Sequence, residues 1–281
     1  MNDARLCSPA RLGAHLMLGA AALVTLFPLF WMVTTAFTPN DLILSRALRF
    51  WPEHPTLENF RIAFARHPVG LWLWNAFVVS ALVTLGKLAI SLPAAYAFAR
   101  MEFRGRNALF WVVVATLTFP SVIGIVPTFI AVVKVGWYDS LTAVVVPSIA
   151  YVGFYIFYLR QNFRSLPGEM FEAAELDGAG PFRKFAQIAL PNIRPAIAAV
   201  SVLSFLGAWN IYFWSLLVLE SPEKKTITIG IKVFSDIEAS NQLWGPLMAT
   251  ALLGVLPILV LFLVAQRSMQ EAFAPGSGSK G

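Results

Sequence analysis

Five stretches of this chain run for twenty residues or more without an Asp, Glu, Lys or Arg: Leu12–Asn40, Asn107–Val133, Ser140–Leu159, Pro195–Leu219 and Ala239–Gln266. A sixth, Gly70–Ala99, is interrupted only by Lys87. A membrane-spanning helix needs about 20 mostly apolar residues, and inside hydrocarbon the backbone must satisfy its own hydrogen bonds. The expectation is an all-α membrane protein. One transmembrane domain, 1–281, holds six transmembrane helices near 12–37, 70–99, 107–133, 140–159, 195–219 and 243–266. Charged residues make up only 13% of the chain, against about 25% in soluble domains. The inner prolines Pro28, Pro93, Pro120, Pro127, Pro147 and Pro257 agree with this class, because neighbouring helices can re-satisfy the carbonyls that a kink frees. The basic-then-apolar start imitates a secretory signal. Its apolar run outlasts a signal core of about 7–15 residues, so it reads as a retained first helix.

The net charge of +6 raises the question of nucleic acid. The basic residues are scattered over loops and form no stripe, which excludes that partner and points to the lipid bilayer and its cytoplasmic face. With the N-terminus inside, twelve Lys and Arg fall on cytoplasmic segments and eight on outer ones; "RMEFRGR" carries the clearest bias. Both termini are therefore expected in the cytoplasm. A single cysteine, Cys7, allows neither an intramolecular disulfide nor a zinc site, and no metal site is expected. Two outer segments read as ordered. One is 38–69. The other is 220–242, whose "TITIGIKVF" suits a short strand or an interfacial segment. The tail "APGSGSKG" is expected to lack regular structure.

Against this background the polar insert 161–194 stands out. "SLPGEMFEAAELDGAG" reads as a short helix with Pro167 in its first turn. Helical spacing puts Pro167, Met170, Phe171 and Ala174 on one face and Glu169, Glu172 and Glu175 on another. Gly178 suits the left-handed residue that ends a helix. Pro181 starts a second helix, with Phe182, Phe185, Ala186 and Ala189 on one side. Asp177, at the dipole's negative end, is expected to accept hydrogen bonds from the amides that open that second helix. Helices lying on lipid favour Lys and Arg; three glutamates argue for a protein partner with a basic pocket.

The stretch "EAAELDGAGPFRKFAQIALPNIRP" resembles the EAA loop of permease subunits of bacterial ATP-binding-cassette (ABC) importers. Glu172, Ala173, Ala174, Asp177, Gly178, Ala179, Leu190, Pro191 and Pro195 carry the resemblance. "TFPSVIGIVPTFIAVVKVGWYDSLTAVVVP", "FLGAWNIYFWSLLVL" and the ending "SGSKG" are similar to the smaller permease of carbohydrate-uptake systems of the maltose-transporter type. The resemblance implies the type I importer permease fold in the bacterial cytoplasmic (inner) membrane. The EAA helix–turn–helix then lies in the cytoplasm between the fourth and fifth helices. The resemblance also implies a second, homologous permease as heterodimer partner, two ATPase subunits that hold ATP and Mg, and an extracytoplasmic substrate-binding protein. The chain itself would bind no cofactor and would not be an enzyme. Glu172, Ala173, Ala174, Asp177 and Gly178, with Met170 and Phe171, would couple it to the ATPase. Where the family often has an acid or Gln after the Trp-Asn pair and a Pro after the second aromatic, this chain has Ile211 and Ser215. The solute is read only as a sugar or related polyol. Glycerol 3-phosphate or another phosphorylated polyol is an alternative, and a non-transporting scaffold subunit is another.

Two observations independent of the resemblance agree with energy supplied from outside the chain. No Asp or Glu lies in the six apolar segments, where ion-driven carriers place them. "ALVTLGKL" fails as a phosphate loop, because Ala81 stands for the first Gly and Leu88 for the Ser or Thr. Candidate pathway residues are Trp209, Asn210, Tyr212 and Trp214, since aromatic faces and an amide suit a sugar ring; helix packing accounts for them equally simply. Lys87 either meets an anionic solute or is structural, paired between helices or snorkelling to an interface. Trp51, Trp137 and Trp244 read as interfacial anchors and His15 as a headgroup-level or packing residue.

Overall fold

The computed structural model describes residues 9–43, 51–238 and 243–273. Cys7 and the tail from 274 onward lie outside them. The described residues are helical or irregular, with no strand among them. In order they form α1 (Pro9–Phe37), α2 (Asn40–Ile43), α3 (Glu58–Arg66), α4 (Val69–Arg100), α5 (Arg106–Ala115), α6 (Ile125–Lys134), α7 (Leu141–Ile149) and α8 (Gly153–Ser165). There follow α9 (Glu169–Leu176), α10 (Pro181–Arg183), a π-helical turn Lys184–Ala189, α11 (Leu190–Asn192), α12 (Arg194–Trp209), α13 (Phe213–Val218), α14 (Ile227–Glu238) and α15 (Trp244–Phe273).

Three helices are single pieces long and apolar enough to cross a membrane: Gly13–Phe37, Val69–Arg100 and Trp244–Gln266. Three further candidates are bent pairs. Arg106–Thr118 turns by 88° into Val122–Lys134, Leu141–Ile149 by 45° into Gly153–Ser165, and Pro181–Asn192 by 78° into Arg194–Trp209. The expected spans at 107–133 and 140–159 thus bend, as their inner prolines allow, and the third bend falls just before the span expected at 195–219. Pro120, extended at ψ 120, sits in the first break. The helix from Arg194 stops at Trp209 and restarts at Phe213.

The chain folds into two compact units, Met1–Val69 with Ile231–Val255, and Gly70–Gly230 with Leu256–Gly281. The first is pinned by buried Asn59, whose Nδ2 donates to Ala36 O at 2.9 Å and Thr38 O at 2.7 Å. These acceptors include carbonyls that the end of α1 leaves unpaired. Asn40 Oδ1 accepts from Gly245 N at 3.1 Å, which serves the start of α15 in the same way. Ala36, Ala249 and Leu252 form the small core beside them.

The second unit holds the main core. Tyr96, Tyr155, Ile156, Leu159, Phe163, Phe171, Ile193 and Val200 are buried in it together. Near the other end of α4, polar side chains tie that helix to the segment 222–225. Trp72 Nε1 donates to Pro222 O at 2.7 Å, and Asn75 Nδ2 to Glu223 O at 2.8 Å and Lys225 O at 3.0 Å. Of the two readings of "TITIGIKVF", the short strand is ruled out, since α14 begins at Ile227. Its alternation of Thr and Ile suits a strand, but a helix pairs its backbone without a neighbour. A Cβ at Gly230 would overlap the Trp72 indole, so only glycine permits this approach.

Candidate functional site

The insert 161–194 is built on two arginines at the ends of α4 and α8. Arg100 Nε donates to Phe163 O at 3.0 Å, and its Nη2 donates to Leu166 O. Arg160 Nε donates to Phe98 O at 3.2 Å. Each helix therefore lends the other a cation for its exposed C-terminal carbonyls, where the dipole also favours positive charge. Both guanidiniums stack on rings, Arg100 4.4 Å from the Phe171 centroid and Arg160 3.8 Å from Phe110. Sequence reasoning used these arginines only as an orientation signal. Their positions at helix C-termini could have hinted at the clamp.

On this base lies α9. Phe171 and Ala174 are buried and Met170 is half-buried, while Glu169, Glu172, Ala173 and Glu175 are exposed. The Phe171 ring meets Tyr96 at 6.5 Å, and Tyr96 in turn meets Phe163 at 5.5 Å and Phe185 at 5.1 Å. Of the residues expected at the coupling surface, Met170 and Phe171 thus face the chain's own core. Helix start and turn differ in detail from expectation. Pro167 precedes the helix, which opens at Glu169 after Gly168.

The turn is a complete Schellman arrangement. Gly178 has φ +73, its N–H donates to Glu175 O at 2.9 Å, and Ala179 N donates to Ala174 O at 2.8 Å. The expected capping role of Asp177 is corrected: Gly180 is the N-cap of the next helix, and no side chain caps it. Asp177 is exposed at the tip of the turn, three residues ahead of that N-cap position. The two halves are instead joined by Lys184 Nζ and Glu175 Oε2 at 2.6 Å. Hydrogen bonding to Lys184 and its positive charge hold the Glu175 carboxyl below the usual range. Among the described residues, Glu169 and Glu172 have no such partner.

In the second half, Phe185 and Ala186 are half-buried and Ala189 is fully buried, but Phe182 is 79% exposed. The π-helical turn at Lys184–Ala189 explains the difference from a uniform 3.6-residue face, since i→i+5 pairing adds a residue to the turn. Leu176, 91% exposed, and Phe182 are large apolar side chains standing out beside Glu172 on the same exposed segment.

A second feature lies where the broken helices meet. A cavity of about 730 Å³ is lined from the α5–α6 break by Ile125 and Thr128, from the α7–α8 break by Ser148 and Tyr151, and from the α12–α13 break by Tyr212 and Trp214. Lys87 of α4 also lines it and is the one charged residue among the described residues that do. Trp214 is held by an Nε1 hydrogen bond to Ala143 O at 2.9 Å. The other two candidates lie elsewhere. Trp209, 2% exposed, stacks on Phe205 at 5.8 Å, and Asn210 Nδ2 donates to Leu206 O of its own helix at 2.8 Å. Among the described residues, no group of His, Cys, Asp and Glu could hold a metal ion.

Comparison with known proteins places these features. Residues 88–275 match the family described as "Binding-protein-dependent transport system inner membrane component". The diacetylchitobiose uptake system permease protein NgcG of Streptomyces coelicolor is 30% identical over 94% of this chain and 87% of its own length. The sn-glycerol-3-phosphate transport system permease protein UgpE of Agrobacterium fabrum is 34% identical over 92% of this chain and 94% of its own. In fold, the chain is similar to a chain of a bacterial ABC transporter involved in the import of the acidic polysaccharide alginate. The TM-score is 0.82 at 20% identity, covering 96% of this chain and 99% of that one. The chain belongs to the binding-protein-dependent transport system inner membrane components: it is a multi-pass permease of an ABC importer, not itself catalytic, and ATP is bound by a separate ATPase.

Proposed function

We propose that this chain and a second, homologous permease form the pathway of an ATP-driven importer for a sugar or related polyol in the bacterial cytoplasmic membrane. Two ATPase subunits dock on the cytoplasmic side and an extracytoplasmic binding protein delivers the solute. Both termini lie in the cytoplasm, in keeping with the excess of Lys and Arg on those segments. The relatives named for uptake of diacetylchitobiose and of sn-glycerol 3-phosphate support an oxygen-rich solute of this class.

One observation carries the coupling role: α9 is two-faced. Phe171 and Ala174 are buried in the permease core, while Glu172 and Ala173 are exposed beside them. A partner that grips the outer face moves the inner face, and with it Tyr96, Phe163 and the ends of α4 and α8. In this reading Glu172 meets a basic residue of the ATPase, Ala173 lets that subunit approach closely, and Asp177 and Gly178 shape the exposed turn. Met170, Phe171 and Ala174 carry the motion inward. Tyr212, Trp214 and Lys87 line the solute's route.

The test is reconstitution of the full complex in proteoliposomes. Glu172→Ala should weaken ATPase docking by about 10- to 100-fold, the size of one charge-assisted hydrogen bond, and lower ATP-driven uptake accordingly. Docking unchanged in Glu172→Ala would remove the coupling role. A parent complex that assembles but moves no solute would leave the scaffold reading standing.

A further inference from the structure

We propose that Lys87 is the anion-recognition residue of the cavity, so that the solute passed is a polyol or sugar bearing a phosphate or carboxylate group. This rests on the importer reading above and narrows its solute class.

The position of Lys87 excludes the simplest structural account. α4 runs from Val69 to Arg100, so at about 1.5 Å per residue Lys87 lies roughly 20 Å from one end and farther from the other. α4 is longer than a hydrocarbon core of about 30 Å; with its middle in that core, Lys87 lies about 10 Å below the nearer face, beyond the reach of a four-carbon stem. Nor is it one half of an ion pair, since no carboxylate of a described residue pairs with it. The six apolar segments contain no Asp or Glu that could serve. Its recorded neighbour is the Tyr155 ring, with Nζ 4.8 Å from the centroid. A cation–π contact steadies an ammonium and leaves its three donors available.

The surroundings suit an oxygen-rich anion. Thr128, Tyr151 and Tyr212 bring hydroxyls to the same cavity, and Trp214 brings an aromatic surface, while the Ser148 hydroxyl donates to Val144 O at 2.6 Å. The register of α4 is fixed at this point: a Cβ at Gly86 would overlap Ile149, so the turn bearing Lys87 is seated against the end of α7. An unpaired cation at this depth costs the fold free energy. A phosphate or carboxylate on the solute supplies the missing counter-charge, and a lysine meets it as a compact point charge.

The test begins with the charge of the solute. The importer's binding protein is titrated by calorimetry with matched pairs: glycerol and sn-glycerol 3-phosphate, glucose and glucose 6-phosphate, galactose and galacturonate. The charged member should bind, and the phosphate and carboxylate arms identify the group; preference for the neutral members overturns the proposal. Uptake of the bound solute is then measured in proteoliposomes carrying the full complex. Lys87→Met should lose about 10- to 100-fold in uptake, as expected for one charge-assisted hydrogen bond. Lys87→Arg, which keeps the charge, should retain most uptake. Equal uptake by Lys87→Met, or equal loss in both variants, overturns the proposal. Should Lys87→Met fail to co-elute with its partners, Lys87→Gln is read by the same criteria. A parent complex without ATP-driven uptake fails one step earlier and overturns the importer reading itself.

Discussion

Arg100 serves two helices with one side chain. Its guanidinium donates to Phe163 O and Leu166 O at the end of α8 and covers the Phe171 ring of α9. Arg100→Ala leaves those carbonyls without their donor and uncovers the ring. The loss should be about 2 kcal/mol, in the range for hydrogen bonds to a charged group. Thermal unfolding of the purified protein in detergent checks it, and Arg100→Lys should recover only part, because an ammonium lacks the planar fork. Asp139 plays a comparable part elsewhere in the same unit. It has φ +54, and its carboxylate accepts from Glu220 N at 2.9 Å, Ser221 N at 3.0 Å, Ser221 Oγ and Lys224 Nζ at 2.9 Å. Desolvation pushes its carboxyl up, but these hydrogen bonds together outweigh it and hold the group well below the usual range. A depressed folded-state value means that the network's stabilisation is present above the ordinary value of 3.8 and is lost as pH falls below it. The gap in unfolding midpoint between the parent and Asp139→Asn, measured from pH 7 to pH 3, should therefore hold down to about pH 4 and narrow below it, without closing by pH 3. A gap that stays constant with pH would exclude this role.

At the scale of elements, the turn after α9 decides how the insert is presented. Gly178 at φ +73 lets the Schellman bonds close, and Ala179 folds back under Ala174. Gly178→Ala puts a Cβ into the left-handed region at a cost of about 1 kcal/mol. Open space surrounds that position, so the penalty is conformational and not steric. Loosening of the turn should appear as faster hydrogen exchange at Ala179 and its neighbours in the turn, with α4 and α8 unchanged. Much of this element was legible beforehand. The acid and apolar faces of α9 follow from 3.6-residue spacing, and Gly178 was recognisable as the residue that stops a helix. The second half was less legible. Its π-helical turn shifts Phe182 outward, and no local pattern in "PFRKFAQIAL" marks the extra residue. Asp177 misled because an acid before a helix so often caps it; here Gly178, Ala179 and Gly180 intervene, and Gly180 takes the N-cap position.

At the scale of the whole molecule, hydropathy and the absence of acids determined by themselves that the chain crosses a membrane, about where its apolar segments lie, and that 161–194 is a polar insert. These properties are sums over neighbouring residues, and the bilayer imposes them on each segment separately. The tertiary structure alone decided that three of the apolar segments break, that Arg100 and Arg160 cap one another's helices, and that Trp209 packs while Tyr212, Trp214 and Lys87 line a cavity. A break is tolerable only where other parts of the chain satisfy the freed backbone groups, and a cavity exists only where several breaks come together. Both depend on partners far away in the chain, which no window along the sequence contains.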